Sequence, residues 1–203
     1  MQTVKVVVTG PFAAGKTQFI RAVSEIDVVS TERRISDETS RTKRETTVAL
    51  DFGRISVDKD LVLYLFGTPG QRRFEFMWEI LAEGMLGFVV LADSTRPETF
   101  KETREIIDVF ATYSPSPFVV AATKQDMPDA WSPEDIRIVL ELDESVKVLP
   151  CVGLDRESVK TVLLELLYTI LSSTDGKAGA ASTAGSSLGN APGNAPGSAD
   201  GPA

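Results

Sequence analysis

Apolar residues between the N-terminus and residue 173 follow two alternating patterns. Short runs rich in β-branched residues are typical of strands buried in a parallel sheet. These runs read TVKVVVTG, TTVALDFGRISV, DLVLYLF, MLGFVVLAD, PFVVAAT and VKVLP. Apolar residues at helical spacing occupy residues 16–26, 74–84, 97–112, a segment beginning near 132–133, and 156–172. The alternation predicts an α/β fold with a six-stranded, mostly parallel sheet and helices on both faces.

The second and third runs are separated only by Asp58, Lys59 and Asp60, a spacing typical of a β-hairpin. A hairpin here makes one edge strand of the sheet antiparallel. Ahead of it, residues 30–45 are polar and dense in charge, with Ile35 as the only large apolar residue. Loops of this length in compact domains are usually functional or mobile, so we expect a long exposed loop with a functional role.

The composition changes after Ser173. Residues 174–203 are mostly Gly, Ala, Ser, Pro and Asn, and Leu188 is their only large apolar residue. Because such a segment buries too little apolar area to offset the entropy of ordering its backbone, it is predicted to be a disordered tail. Residues 1–173 are therefore predicted to form one domain, and a tethering role for the tail stays open beside a passive one.

The overall composition narrows the range of functions. The chain of 203 residues carries 21 basic and 29 acidic side chains, and this net charge of -8 argues against general nucleic-acid binding. The single cysteine, Cys151, fits a reducing, cytoplasmic compartment, and no segment has a signal-peptide or membrane-spanning pattern. No cysteine is available for a C-terminal prenyl anchor. Because the chain has no histidine, proton transfer has to rest on carboxylates, water or the substrate.

The octapeptide GPFAAGKT, residues 10–17, matches the phosphate-loop pattern G-x-x-x-x-G-K-[ST]. It follows the first predicted strand and opens the first predicted helix, as this motif requires. Gly10 and Gly15 permit a turn whose backbone N–H groups, together with the helix N-terminus, face phosphate oxygens. Lys16 would reach the β- and γ-phosphates, and the Thr17 hydroxyl would ligate Mg²⁺. The motif in this setting predicts a nucleotide site on a P-loop NTPase fold.

A second motif, TKQD at residues 123–126, follows the fifth predicted strand. The Asp126 carboxylate can accept hydrogen bonds from guanine N1–H and N2–H₂, whereas adenine lacks both donors and would leave the charge unpaired. Lys124 would lay its aliphatic stem along the purine face. The motif therefore favours guanine and disfavours an ATP-dependent kinase or ATPase on the same fold.

The order of these motifs is similar to that of Ras-like small GTPases over roughly residues 3–172. The segment LFGTPGQ resembles a signature of bacterial MglA-like polarity GTPases and of conservon-encoded GTPases, and the loop PFAAGKT resembles the Arf type. The resemblance implies binding of GTP and GDP with Mg²⁺, slow GTP hydrolysis, and two conformations that partners distinguish. It also implies a roadblock/LC7-type activator or co-regulator. Oligomerisation through the two segments that change conformation with the nucleotide, residues 30–47 and 67–78, stays open.

The resemblance assigns roles to individual positions. Thr47 matches the threonine that ligates Mg²⁺ and senses the γ-phosphate, although the adjacent Thr46 leaves this register open by one residue. Gln71 matches the glutamine that orients the attacking water, and Lys16 joins it as a catalytic residue. The metal ligands are then Thr17 and Thr47. The residues assigned to the nucleotide are Gly10, Ala13, Ala14, Gly15, Lys16, Thr17, Gln18, Thr47, Gly70, Thr123, Lys124, Asp126, Val152 and Gly153.

Three positions depart from the family pattern. Thr123 replaces an asparagine whose amide ties its loop to the phosphate loop, and Phe12 replaces a small residue, so that its ring would either crowd the catalytic glutamine or pack outward. Gly67 replaces an acid that holds one of the water molecules of the metal, and loss of such a group typically costs about ten- to a hundredfold in affinity or activity. Asp51 and Asp93 are the candidate replacements. For each of them the alternative is an ordinary surface acid or an acid that caps a loop.

No motif supplies a catalytic arginine. It would come from a partner or from one of the two switch segments, residues 30–47 and 67–78. The candidate arginines in these segments are Arg41, Arg44, Arg72 and Arg73. The second switch segment also carries an apolar cluster of the kind that partner interfaces use: Phe74, Phe76, Met77 and Trp78. At least two of these four side chains are expected to pack in the core. Two functions remain: a GTP-controlled switch that binds partners, or a nucleotide-binding scaffold that no longer hydrolyses GTP.

Overall fold

The structure, a computed structural model, describes residues 2–30, 33–35, 46–48, 50–70 and 74–183. The strands of the main sheet are Gln2–Thr9 (β1), Val29–Ser30 (β2), Asp51–Asp58 (β5), Leu61–Gly67 (β6), Gly87–Asp93 (β7), Phe118–Thr123 (β8) and Val148–Pro150 (β9). Arg33–Ile35 (β3) and Thr46–Val48 (β4) pair in a small sheet of their own. In the described part of the chain, the main sheet has the order β2-β5-β6-β1-β7-β8-β9.

The main sheet is mostly parallel. Strands β6, β1, β7, β8 and β9 pair in parallel, whereas β5 is antiparallel to β6 through the predicted hairpin. The two-residue β2 is added to β5, also in antiparallel orientation. The predicted six strands and antiparallel edge are therefore confirmed, and β2 extends that edge.

Five α-helices in the described residues cover both faces of the sheet. They are Lys16–Val23 (α1), Phe76–Ala82 (α2), Phe100–Tyr113 (α3), Pro133–Val139 (α4) and Arg156–Thr183 (α5). One apolar core joins α1 and α5 to the sheet and contains Phe19, Ile20 and Leu166. The other joins α2, α3 and α4 to the opposite face and contains Trp78, Phe110 and Ile136. None of the described helices is both long and apolar enough to cross a membrane.

Two boundaries differ from the sequence prediction. The run TTVALDFGRISV does not form one strand, because β4 pairs with β3 and only the part from Asp51 onward joins the main sheet. β-Branched composition favours an extended backbone but does not select the neighbouring strand. Helix α5 continues to Thr183, beyond the predicted helix end at residue 172, while the predicted division between domain and tail stays a prediction. Alanine-rich sequence extends an existing helix at little cost. Residues 184–203 lie outside the described part.

The parallel strands place their carboxyl ends along one edge of the sheet, where α/β proteins bind ligands. Gly10 follows β1, Thr68 follows β6, and Lys124 follows β8 at this edge. Asp93 and Cys151, at the ends of β7 and β9, lie at the same edge. Motifs that are far apart in the sequence therefore meet at one site.

Candidate nucleotide site

The backbone of the phosphate loop explains both of its glycines. Gly10 has a φ of 143°, and a Cβ at this position would lie 2.5 Å from the carbonyl oxygen of Leu91, so no side chain fits. Gly15 has a φ of 99° and forms the N-cap of α1 without a side-chain cap. The first N–H groups of α1 therefore have no side-chain cap, which is the arrangement that suits an anion.

Lys16 is buried directly against this loop. Its side chain is 8% exposed, and Nζ donates hydrogen bonds of 2.7 Å to the carbonyl oxygens of Gly10 and Pro11. Burial lowers the pKa of Lys16 to about 8, against the opposing effect of the carboxylates of Asp51 and Glu102. The ammonium group is thus held at the loop by carbonyl acceptors, where a phosphate oxygen can become a further partner.

A cleft of about 340 Å³ lies between the phosphate loop, β5 and the loop after β6. Six residues assigned to the nucleotide line it: Ala13, Gly15, Lys16, Thr17, Gln18 and Gly70. Asp51 and Thr68 also line the cleft, and Phe12 and Phe74 supply apolar wall. The cleft therefore brings the predicted phosphate-binding residues together with one of the two candidate acids.

The side chain of Asp51 lies beside Gly67, the position where the family pattern has an acid. The two residues face each other across the antiparallel pair of β5 and β6. A Cβ on Gly67 would lie 3.0 Å from the Cβ and 3.3 Å from Oδ2 of Asp51, so the carboxylate fills the space toward which a side chain at position 67 would project. Asp51 is buried, and its Oδ2 accepts a hydrogen bond of 2.6 Å from the Thr17 hydroxyl.

Asp93, the other candidate acid, lies on the far side of the phosphate loop. Its Oδ2 accepts a hydrogen bond of 2.6 Å from Nζ of Lys124, the lysine of the TKQD motif. Its Oδ1 accepts hydrogen bonds from the backbone N–H and the hydroxyl of Thr95. Both oxygens are therefore engaged away from Thr17, and the geometry groups Asp93 with the TKQD loop.

The loop after β6 is anchored on both sides. The backbone N–H of Thr68 donates to the carbonyl oxygen of Val8, and its hydroxyl donates to the hydroxyl of Thr9 at 2.9 Å. The indole N–H of Trp78 donates to the carbonyl oxygen of Pro69 at 3.2 Å. These bonds tie the TPG segment to β1 on one side and to α2 on the other.

Gly70 packs directly on the phosphate loop. A Cβ at this position would lie 2.7 Å from Nζ of Lys16 and 2.8 Å from Cα of Phe12, so only glycine permits the approach. The Phe12 side chain is 62% exposed at the rim of the cleft, which agrees with the outward orientation considered from the sequence. Gln71 and the side chain of Thr47 lie outside the described residues, and their assigned roles stay predictions.

A second cleft, of about 300 Å³, adjoins the first, because Gly15 and Gln18 line both. Eight predicted residues line it: Ala14, Gly15, Gln18, Thr123, Lys124, Asp126, Val152 and Gly153. Met127 and Leu154 complete the lining and were missed by motif reasoning. The only sequence signal for these two apolar residues is their position directly after Asp126 and Gly153.

The Thr123 hydroxyl connects the TKQD loop to the phosphate loop, as the longer asparagine of the family pattern does. Its Oγ1 lies 3.2 Å from the carbonyl oxygen of Ala14, in the phosphate loop, and 3.1 Å from that of Ala92. A hydroxyl has one proton to share between these acceptors, whereas an amide has two. The substitution of asparagine by threonine therefore shortens the connection without removing it.

The loop after β9 presents a backbone donor to the second cleft. The N–H of Val152 is already engaged by Oγ of Ser158 at 2.9 Å, whereas the N–H of Gly153 makes no hydrogen bond within the described residues. Of the two residues of this loop that are predicted to contact the nucleotide, Gly153 is therefore the better placed to donate its N–H to a ligand. Burial raises the pKa of the neighbouring Cys151 thiol to about 11, so this group stays neutral.

Comparison with known proteins agrees with this geometry. Residues 26–173 match the protein family described as "Conserved hypothetical ATP binding protein". The chain belongs to this family. It is also 32% identical over 127 residues to the uncharacterized protein MJ1339 of Methanocaldococcus jannaschii, an alignment that covers 62% of this chain and 73% of that protein.

This family member also resembles small GTPases. It is 26% identical over 179 residues to the Ras-related protein Rab-32C of Dictyostelium discoideum, covering 84% of this chain and 75% of the relative. The structure of the Arl6 BBS3 small GTPase from Trypanosoma brucei, with bound nucleotide analogue GppNp, superposes with a TM-score of 0.65 at 16% identity. The superposition covers 83% of this chain and 98% of that one. The chain therefore has the Ras/Arf-like small-GTPase fold.

Helix α2 of this family member separates its apolar side chains into two groups. Phe74, just before the helix, and Trp78 are buried in the core, which confirms that at least two of the cluster pack inward. Phe76 and Ile80 are 62% and 65% exposed, and their spacing of four places them on one face of the helix. Part of the cluster therefore remains at the surface beside the nucleotide site.

Proposed function

We propose that this chain binds GTP and GDP, hydrolyses GTP slowly, and acts as a cytoplasmic, MglA-like switch whose nucleotide state partner proteins recognise. The observation that carries the proposal is the joining of two clefts around α1. Lys16 lies in one cleft and Asp126 in the other, with Gly15 and Gln18 lining both. This arrangement suits a ligand with phosphates at one end and a purine at the other.

The choice of base rests on Asp126. The family description names ATP, which is the second candidate ligand. A carboxylate in the base cleft has two donors to accept from guanine and none at the matching positions of adenine, so we expect guanine to be preferred. Competition of GDP and ADP for the purified protein tests this, with Asp126→Ala as the variant that should lose the preference. Equal competition by ADP in the unmodified protein would contradict the guanine assignment.

The phosphate cleft has a donor set that suits Mg²⁺. Hard oxygen ligands are what this ion prefers, and the Thr17 hydroxyl and the buried Asp51 carboxylate lie 2.6 Å apart in the cleft. Thr17 and Thr47 would ligate the ion, and Asp51 would hold one of its water molecules. When bound, Mg²⁺ would neutralise charge on the β- and γ-phosphates. The role of Asp51 is the part of this assignment that the described geometry supports most directly.

Hydrolysis would be a transfer of the γ-phosphoryl group to water, promoted by positioning and charge. Lys16 would neutralise developing negative charge, Gln71 would orient the water, and an arginine would come from a partner or from the switch segments. Single-turnover GTP hydrolysis, with and without a roadblock/LC7-type protein, tests this. Stimulation by the partner supports the switch, and no turnover in either case supports the second candidate function.

That second candidate is a guanine-nucleotide-binding scaffold without hydrolysis. The departures from the family pattern at Gly67 and Phe12 favour it, because the acid that holds a metal-bound water is missing and an aromatic ring stands at the rim of the phosphate cleft. A switch instead requires movement that is coupled to the γ-phosphate. Hydrogen exchange of the segment after β6 in GDP and GTP complexes separates the two: protection that changes between the complexes supports the switch.

Helix α2 offers a surface for the partner. Exposed Phe76 and Ile80 stand on a helix that also carries Glu75 and Glu79, so a partner with apolar and basic side chains would fit. We expect Phe76→Ala with Ile80→Ala to abolish partner stimulation of hydrolysis and to leave GDP affinity unchanged. Ile138→Ala is the matched control, because Ile138 on α4 is also 65% exposed. Equal stimulation of all three proteins would exclude this surface.

A further inference from the structure

Asp93 is a buried acid that the phosphate chemistry does not use. It ends β7, is 1% exposed, and accepts a hydrogen bond of 2.6 Å from Nζ of Lys124. Its second oxygen accepts hydrogen bonds of 3.1 Å and 2.8 Å from the backbone N–H and hydroxyl of Thr95. The carboxylate is therefore fixed by its own turn and directed at the ammonium group of Lys124.

The segment that follows Asp93 also holds the rest of the base loop. The N–H of Ser94 donates to the carbonyl oxygen of Thr123, and Nε2 of Gln125 donates to the Ser94 hydroxyl at 2.8 Å. The guanidinium of Arg96 donates to the carbonyl oxygen of Phe12 in the phosphate loop at 3.4 Å. Residues 93–96 thus contact both nucleotide-binding loops.

Lys124 is a side chain that needs such support. It lines the base cleft, has a φ of 62°, and keeps 37% of its side chain exposed. A lysine side chain has a flexible four-carbon stem, so an exposed one samples many rotamers unless its ammonium group is held. The ion pair with Asp93 selects one of these arrangements before any ligand arrives.

We propose that Asp93 is a positioning residue that holds the stem of Lys124 against the purine face of the bound nucleotide. The inference rests on the proposed nucleotide binding and adds a residue to which the TKQD motif assigns no role. It also separates the two acids considered from the sequence, because Asp51 contacts Thr17 on the phosphate side whereas Asp93 acts on the base side. Pre-organisation of this kind strengthens binding by reducing the ordering that the ligand has to impose.

The test is the affinity of the full chain for fluorescently labelled GDP and ADP, with Asp93→Asn as the main variant. Asparagine keeps an oxygen for Thr95 and removes the charge that holds Lys124. We expect affinity for the preferred nucleotide to fall about tenfold, as for loss of one charge-assisted hydrogen bond, with an unchanged dependence on Mg²⁺. Thr95→Val is the matched control, because it removes a bond to the same carboxylate and leaves the ion pair; we expect it to bind within about twofold of the unmodified protein.

The same series in a Lys124→Met background distinguishes positioning from a general structural role. If Asp93 acts through Lys124, Lys124→Met alone weakens binding by a similar factor, and adding Asp93→Asn causes no further loss. Additive losses, or unchanged affinity in Asp93→Asn, would overturn the proposal. Lys124→Met leaves Asp93 in place, so poor folding of Asp93→Asn does not prevent the test: full affinity in Lys124→Met would also overturn it.

The two nucleotides keep this inference separate from the proposed function. Both purines have a face for the lysine stem, but only guanine has the donors that Asp126 would bind. Preference for ADP would overturn the guanine-nucleotide function, and a loss of ADP affinity in Asp93→Asn would still support positioning of Lys124. Preference for GDP with no effect of Asp93→Asn would overturn the positioning role and leave the proposed function standing.

Discussion

The phosphate side and the base side of this site are built in different ways. On the proposed phosphate side, backbone groups and the buried Lys16 would form the binding surface, and Asp51 lies beside Thr17. On the base side, side chains project from the loop after β8, and Asp93 holds Lys124. Each side uses one buried acid from a neighbouring strand, yet the two acids contact different chemical groups.

Strand pairing is what gives the two acids their different partners. Asp51 pairs with Gly67 across antiparallel strands, so its side chain enters the space that glycine leaves open. Asp93 pairs with Thr123 across parallel strands, so the next residue, Lys124, lies within reach. An aspartate at the end of a strand therefore takes its role from the residue that the sheet places opposite it.

Removal of Lys16 should disable the phosphate side and have the largest effect. In Lys16→Ala the charge-assisted hydrogen bonds to phosphate are lost, so we expect GDP affinity to fall by at least about a hundredfold in calorimetric titration. Thermal unfolding of the nucleotide-free variant is the control for an intact fold. An affinity within about fivefold of the unmodified protein would show that the phosphates bind elsewhere.

Replacement of Asp51 tests whether this acid on β5 performs the role that the family pattern gives to an acid at position 67 on β6. In Asp51→Ala we expect nucleotide affinity in the presence of Mg²⁺ to fall about ten- to a hundredfold, as for loss of a group that holds a metal-bound water. Without Mg²⁺, the variant and the unmodified protein should differ little.

The double variant Asp51→Gly with Gly67→Asp returns the acid to β6. Glycine at position 51 is needed because Cβ atoms at the two positions would lie 3.0 Å apart. Contact with Cδ1 of Ile20 at 2.9 Å involves the end of a flexible side chain, which can shift. We expect this variant to regain part of the Mg²⁺-dependent affinity, and Asp51→Gly alone to regain none.

The pH dependence of binding should reveal Lys16 on the phosphate side. Burial puts its pKa at about 8 in the nucleotide-free protein, and a phosphate partner raises the pKa in the complex. Binding therefore takes up a proton near this pH. The favourable contribution of the Lys16 ammonium group to GDP binding is complete below pH 8 and is lost as the pH rises toward the pKa of the complex. We expect the Kd for GDP to rise by up to about tenfold per pH unit between pH 8 and the pKa of the complex, and to level off above the pKa of the complex.

Guanine N1–H itself ionises at alkaline pH, so the same titration has to be run on Lys16→Met. The ratio of the two Kd values removes the contribution of the base, which both proteins share. A ratio that stays constant from pH 7 to pH 9 would falsify the assignment of this pH dependence to Lys16.

The smallest expected effect concerns the link between the two sides. Thr123→Val removes the hydroxyl that reaches the carbonyl oxygen of Ala14, and we expect GDP affinity to fall about two- to tenfold, the equivalent of one neutral hydrogen bond. Thr123→Ser keeps the hydroxyl and serves as the control. Equal affinities for all three proteins would mean that the bond does not couple the loops.

The phosphate loop was predictable because its motif specifies a local backbone. Gly10 and Gly15 have positive φ angles where the motif requires glycine, and Lys16 and Thr17 line the expected cleft. Most of the lining of the second cleft was predictable for the same reason, since its loops directly follow strands. Met127 and Leu154 were not, because apolar residues in loops carry no pattern that separates a ligand contact from an exposed side chain.

Strand extent and pairing were less predictable. The sequence TTVALDF favours extended backbone throughout, and only the structure shows that β4 leaves the main sheet to pair with β3. The end of α5 was likewise placed too early, because a glycine- and alanine-rich composition is compatible with both a tail and a continuing helix. In both cases the local preference was weak, and neighbouring structure decided the outcome.

The sequence by itself determined the class of fold and the positions of the phosphate loop and the TKQD loop, because each depends on short-range spacing along the chain. It also narrowed the substitute for the acid missing at Gly67 to Asp51 or Asp93. Only the tertiary structure separated these two, by setting Asp51 against Thr17 and Asp93 against Lys124. The physical reason is that a carboxylate acts over a few ångströms, and distances of that size between strands follow from sheet register, which no local pattern records.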